Sequence, residues 1–393
     1  MTELKLQGRD VTEELLAFAQ DLVRIRSCSG EEREVVHCAA ERMKLLGYDE
    51  LRIDGFGNLL GRVGTGGSSI MFDSHLDTVA VPDESDWAHP PFGGDRAGGF
   101  LWGRGSVDMK SGAAASIYAG AIARELGLTR NHAVYVSCTT FEEDCDGENL
   151  RHLFQEFSFR PDCVVICEPS SNLIARGHKG KAQILIRTRG VSAHGSAPEK
   201  GVNAIYAMAD IIRRVEEAQR ALAARGGRHG TLVMSRISST GASLNAVPSE
   251  CEAYLDRRLA VGETEDAVRS EFDGIVEGTG ATWEIGTVRR RTWTGLDVVY
   301  EPFHLAWELD PESRLARIFD EAYRRTFGSS PGTYDFWDFS TNAVATVRLG
   351  IPTIGFGPGE YKLAHMRDER CAETQIADAC RMYVEAIRGS SES

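Results

Sequence analysis

Seven side chains, most of them at the ends of apolar runs, have the types needed to hold metal ions and move a proton. His75 and Asp77 follow the run Ile70–Ser74, and Glu142 and Glu143 follow the β-branched run Ala133–Thr140. Glu168 follows Cys163–Cys167, with Pro169 ending that strand. Asp108 sits between Gly103-Arg104-Gly105 and a helix that starts near Lys110, and His365 follows the turn Gly357-Pro358-Gly359. Imidazole and carboxylate are ligands that zinc accepts, and a carboxylate left off the metal can shuttle a proton. Open α/β sheets collect ligands beyond the carboxyl ends of their strands, so these distant residues can share one edge. Singly, each has a plainer reading. A histidine after a strand bonds within its loop, an aspartate opening a helix caps it, and paired glutamates sit in water. As a set they allow a metal site as readily as the separate plain readings.

The elements that must position them alternate between strand and helix. Val11–Leu46 has helical spacing of Leu15, Leu16, Phe18, Leu22, Val23 and Ile25, broken at Ser27–Gly30, with Ser29 placed to cap the second half. Gly57–Val63 and Ile70–Ser74 read as neighbouring strands joined by the turn Gly64-Thr65-Gly66-Gly67. A small-residue helix over Lys110–Leu126 suits close packing on a sheet. From Gly180 the character changes: the strand Ala182–Thr188, the helix Val202–Ala224, strands Thr231–Ile237 and Glu250–Leu259, the helix Thr264–Val276 and the strand Thr282–Val288 make a β-α-β-β-α-β unit. After Asp310 the α/β pattern resumes with a helix over Ser313–Thr326, a strand over Ile351–Phe356 and a helix from Glu373. The expected class is α/β, a mixed-sheet domain with helices on both faces (1–179 and 293–393), carrying an inserted α+β domain (180–292). The Ser-rich end Gly389–Ser393 reads as disordered.

Bulk properties narrow the partners. At 393 residues the chain is long for one core, which favours two domains. A net charge of −14 repels nucleic acid and anionic membranes, so neither is an expected partner. No apolar stretch approaches the roughly 18 residues of a membrane span. The first residues lack the apolar core of a signal peptide, and nine scattered cysteines without a C-x-x-C pair suit a reducing compartment, so the cytosol is expected.

In order and spacing, Ser74-His75-Leu76-Asp77-Thr78-Val79, Gly103-Arg104-Gly105 through Asp108-Met109-Lys110-Ser111-Gly112, Glu142-Glu143, Glu168-Pro169 and His365 resemble the M20 metallopeptidase family over nearly the whole chain. That family includes glutamate carboxypeptidases, aminoacylases, succinyl-diaminopimelate desuccinylases and acetylornithine deacetylases. Asp83-Glu84-Ser85-Asp86-Trp87, the run Glu142 to Gly147 and Arg257-Arg258-Leu259 are similar to a branch named for a link to selenium metabolism, a label that gives no reaction.

The resemblance implies that the inserted domain is a ferredoxin-like lid through which a homodimer forms. It implies two divalent ions, zinc first, with cobalt or manganese as alternatives. Asp108 would bridge them, His75 and Glu168 would complete one site, and Glu143 and His365 the other. Glu142 would be the general base, and Asp77 would accept a hydrogen bond from the free ring nitrogen of His75. His194, in Val191 to Pro198, would reach across the dimer to the reacting oxygen. Asn245 and Arg258 would grip a substrate carboxylate, with Arg257 facing the other way along its strand. The implied reaction is hydrolysis of an amide C–N bond in a small N-acyl amino acid or short peptide. The alternatives are a non-peptide C–N bond cleaved with manganese or one metal, a non-catalytic peptide binder, and a thiol enzyme on Cys145 or Cys167.

Two features depart from or blur the pattern. Asp368-Glu369 stands where the family has Asn-Glu, with Arg367 beside it, and the aromatics of Tyr334 to Phe339 read as core more readily than as pocket. Arg176 and Lys179 are open between surface charges and substrate contacts.

Overall fold

Along the strand Ser68–His75, Ile70 and Phe72 enter one buried layer and Met71 the other, so the strand is covered on both sides. A computed structural model describes residues 2–241 and 243–392. One layer is built on helices Thr12–Arg24, Ser111–Glu125, Arg314–Phe327 and Glu373–Ser391, which deliver Phe18, Ile117, Phe319 and Tyr383. The other rests on Glu148–Phe157 and Ala343–Arg348, with Leu150, Leu153 and Ala345. Burying a side chain such as Phe72 contributes about 2 kcal/mol.

The sheet between these layers has nine strands. Its path runs Trp307–Glu308, Ala175–His178, Thr353–Gly355, Cys163–Ile166, Ser68–His75, His132–Thr139, Leu59–Val63 and Glu50–Ile53, with Asp335–Trp337 also pairing on Ala175–His178. Thr353–Gly355, Cys163–Ile166, Ser68–His75 and His132–Thr139 are mutually parallel, so their carboxyl ends meet at one edge.

The second sheet has the order Thr231–Thr240, Glu250–Leu259, Gly180–Arg189, Thr282–Ile285, all antiparallel, which is the ferredoxin-like arrangement. Helices Ala204–Ala224 and Glu265–Val276 cover one face and share a core of Ile184, Ile186, Met208, Leu255 and Phe272. Phe303–His304 pairs on Lys181–Ala182, so this sheet draws on chain beyond residue 292.

Four expectations are corrected. Leu59–Val63 and Ser68–His75 are not neighbours, because His132–Thr139 lies between them. The glycines of their connection serve a close crossing rather than a tight hairpin: a Cβ at Gly66 would lie 2.2 Å from the Asn131 carbonyl carbon, and Gly64 has φ +78°. Ser29 does not cap the helix Arg33–Leu45, whose N-cap position is Glu32, and its hydroxyl donates to Asp77 instead. The strand expected over Thr282–Val288 stops at Ile285, and Val288–Arg291 forms a hairpin with Asp297–Tyr300. The last helix continues through Gly389 to Ser391 because Ser390 is buried and Gly389 lies against Ile318, a packing gain that composition does not reveal. Ser393 lies outside the described residues.

Candidate active site

The parallel strand ends place His75 as the last residue of its strand and Glu142 at the start of a short helix after His132–Thr139. Between them Phe141 takes a left-handed backbone, φ 66°, which turns the chain sharply over the sheet edge. Such a conformation costs about 1 to 3 kcal/mol in a residue with a side chain. It is held by Glu32, buried, which accepts the Phe141 N–H at 3.0 Å.

Asp108 is the centre of the cluster. Its Oδ1 lies 2.9 Å from His75 Nε2, and its Oδ2 lies 3.1 Å from His365 Nε2. Glu168 Oε1 is 3.5 Å from the same His75 nitrogen, and Glu143 Oε1 is 3.0 Å from the same His365 nitrogen. One carboxylate therefore faces two donor sets, one through each oxygen. The structure brings His75, Asp108, Glu142, Glu143, Glu168 and His365 together, and all but His75 line one cleft of about 270 Å³.

Charge balance shows what the cluster suits. Burial, followed by repulsion from Asp108, raises the Glu168 carboxyl to about 7 and pushes Glu143 up as well. Hydrogen bonds to Asp108 and Glu143 raise His365 to about 10. Burial opposes charge on His75 and Asp108, yet the contacts between them, with Glu168 and His365, raise the imidazole and hold the Asp108 carboxyl low. The four carboxylates Asp108, Glu142, Glu143 and Glu168 match two dications in charge. The mixed histidine and carboxylate donors are those of a hard or borderline divalent ion, leaving room for water on each.

Asp77 meets the imidazole as expected, through its backbone oxygen at 3.0 Å and with its carboxylate 3.6 Å away. His75 Nδ1 is 3.0 Å from the Asp77 backbone carbonyl, which can only accept, so Nδ1 carries the proton and Nε2 is free for metal. The Asp77 carboxylate, fully buried, also accepts the N–H groups of Glu142 at 3.0 Å and Glu143 at 3.2 Å, and the Ser29 hydroxyl at 2.8 Å. It orients the glutamate pair as well as flanking the imidazole. Glu142 is buried and lines the cleft, and among the described residues its Oε1 has no hydrogen-bond partner. Burial pushes its carboxyl well above the ordinary range, against the opposing pull of His75.

Glu369, noted only as half of an unusual pair, anchors the Asp108 loop. Fully buried, it accepts the N–H groups of Gly105, Val107 and Asp108 at 2.9 to 3.1 Å and pairs with Arg104. Arg367 turns away to Asp86, at 2.9 Å. Sequence reasoning also missed Asp146, Lys181, Ser340 and Tyr361 in the cleft wall. Asp146 accepts from Lys181 Nζ at 2.5 Å and Ser340 Oγ at 3.1 Å. The outward alternation of Lys181 between buried neighbours was a usable signal for it.

Arg258 lines the cleft, its Nε 2.7 Å from Asp256, while Arg257 is buried between Glu263 and Glu271. Of the aromatics, Trp337 is core and Phe339 lines the cleft. Arg176 pairs with Asp320 and Lys179 with Asp338. His194 and Asn245 meet each other's loops, the Gly195 N–H donating to the Asn245 carbonyl, but both are exposed and neither lines this cleft. Cys145 and Cys167 are buried, and burial raises both thiols, so neither offers a thiolate.

The model of peptidase family M20/M25/M40 matches residues 71–389. A protein of Escherichia coli strain K12, YgeY, is 35% identical over 96% of this chain and 94% of its own length. A succinyl-diaminopimelate desuccinylase of Cereibacter sphaeroides is 27% identical over 95% and 98%. A tripeptidase from Staphylococcus aureus superposes with a TM-score of 0.76 at 19% identity, covering 97% of this chain and 99% of that one. The Bacillus subtilis YXEP protein, described as a dinuclear metal binding peptidase, superposes at 0.70 with 14% identity, covering 96% and 97%. The chain belongs to peptidase family M20/M25/M40 and is a metal-dependent hydrolase of amide C–N bonds.

Proposed function

We propose that the protein hydrolyses the amide bond of a small N-acyl amino acid or short peptide, using two divalent ions, zinc first, with cobalt or manganese as substitutes. The observation that carries this reading is the Asp108 carboxylate divided between two donor sets, beside the unpartnered oxygen of Glu142. His75, Asp108 and Glu168 would hold one ion, and Asp108, Glu143 and His365 the other. The ions, when bound, supply Lewis acidity and bring the pKa of water toward neutrality. Glu142 Oε1 takes the proton of the attacking water and returns it to the leaving nitrogen. Asp77 fixes where Glu142 stands by holding its N–H.

Arg258 binds the substrate carboxylate, aimed by Asp256 on its Nε and Nη2. Segment 180–292 acts as lid and dimerisation domain on the catalytic part, 1–179 and 293–393. Exposed Val233, Tyr206 and Leu244 on that segment support a homodimer, in which His194 and Asn245 complete the cleft of the other subunit. Nine unpaired cysteines favour the cytosol, and among the described residues no helix is long and apolar enough to cross a membrane.

The test is amine release from a panel of N-acyl amino acids and dipeptides. Activity should vanish on chelation, return with zinc, cobalt or manganese, and withstand iodoacetamide. Release that survives complete metal removal, or none from any amide, refutes the reading.

A further inference from the structure

A second cavity of about 430 Å³ adjoins the cleft of the candidate metal ligands, and Glu143 and Lys181 belong to the walls of both. Its floor is the helix-free face of the inserted sheet. Alternation explains why: Ala182 and Ile184 are buried under the helices, which turns Lys181 and Gln183 outward, and Ala253 and Leu255 do the same for Tyr254. The hairpin Val288–Arg291 and Asp297–Tyr300 adds Arg290 and Tyr300.

Three cations meet there, Lys181, Arg236 and Arg290, in a chain whose net charge is −14. Lys181 is held by Asp146 at 2.5 Å and Arg290 by Asp144 at 3.0 Å. Arg236 stands opposite Tyr254 in register, its guanidinium 5.7 Å from the ring centroid. Among the described residues no carboxylate pairs with it. Of the acids in the wall, Asp144 is matched by Arg290, and Glu143 faces His365 and the metal cluster. Gln183 and the Tyr254 hydroxyl bond each other at 2.9 Å, which leaves Arg236 as the group without an anionic partner. A polar, cation-bearing cavity gives no return for an apolar acyl chain; its complement is an anion.

We infer that this cavity is a subsite for a carboxylate-bearing arm of the substrate. The favoured amides then carry two acidic groups, one at Arg258 and one reaching Arg236. This inference rests on the amide-hydrolase reading above and narrows its substrate class. Hydrolysis is unchanged in its atom balance: water adds across the C–N bond, and the second carboxylate only positions the substrate.

Matched N-succinyl and N-acetyl amino acids, compared on the metal-loaded wild type and on Arg236→Glu and Arg236→Gln, test it. Arg236 is exposed on its strand, so both variants keep the fold. The wild type should prefer the succinyl member, Arg236→Glu should cut that preference about 10- to 100-fold, and acetyl turnover should stay within about twofold. Equal turnover of both by the wild type, or equal losses on both in the variant, overturns the subsite. A calorimetric arm separates this from the parent reading, using glutarate against butyrate as probes. Should no amide be cleaved, the hydrolase reading fails, and glutarate binding decides the subsite. Weakening about tenfold by Arg236→Glu with butyrate unchanged supports it, and equal binding by wild type and variant overturns it.

Discussion

Replacing Glu142 by glutamine keeps the volume and the N–H held by Asp77 but removes the proton acceptor. General-base removal lowers turnover by about 10²- to 10⁴-fold, or about 3 to 5 kcal/mol in the barrier. The structure places the effect at the upper end, because among the described residues no neighbouring carboxylate is free to take over. Both Asp77 oxygens are occupied by Ser29, Glu142 and Glu143 donors, and Asp146 is occupied by Lys181 and Ser340. Glu168, Asp108 and Glu143 all face histidine nitrogens of the cluster. The expected result is a loss near 10⁴-fold in kcat with substrate binding retained. The assay pairs steady-state amine release with metal stoichiometry on the same preparation. The second measurement matters because a Glu142 oxygen also lies within 4.8 Å of ligand atoms of His75 and Glu168. A variant that loses one ion per chain would make Glu142 a ligand, and a variant with near wild-type kcat would remove it as the base. Either result refutes the assignment.

Three further outcomes are expected. Glu369→Gln weakens the anchor of the Gly105, Val107 and Asp108 N–H groups and leaves Arg104 without its buried partner, at a cost of about 3 to 5 kcal/mol in chemical denaturation and 10- to 100-fold in metal affinity; unchanged values on both would show that the anchor is dispensable. His194→Ala loses activity, and mixing it with Glu142→Gln restores part, measured after subunit exchange; no recovery removes the role of His194 across the dimer. Burial holds His178 at about 4, below the ordinary 6.5, so the unfolded chain takes the proton first. Its contribution is whole above pH 6.5 and is lost as pH falls toward 4, about 3 kcal/mol in all, so His178→Gln should flatten the acid limb of a stability–pH curve and an equally steep limb would contradict this.

The residue types of the metal centre were legible in the chain because metal chemistry restricts them to a few donors at strand ends, and strands announce themselves by apolar runs. The inserted unit was legible as well, since one-sided burial of Gly180–Arg189 and Glu250–Leu259 writes alternation into the sequence. Periodicity is local and does not say which strands become neighbours. His132–Thr139 enters between two strands joined by a glycine turn, and only the crowding of Gly64 and Gly66 against Thr129–His132 explains that turn. The partner of a buried carboxylate is likewise a matter of tertiary geometry. Asp77 stands two residues from His75, and its carboxylate also serves Glu142 and Glu143, because the left-handed Phe141 carries their N–H groups over it. Glu369, 261 residues from Asp108, holds its loop for the same reason. A sequence lists the donors that chemistry needs, and the assembled sheet edge decides which of them face one another.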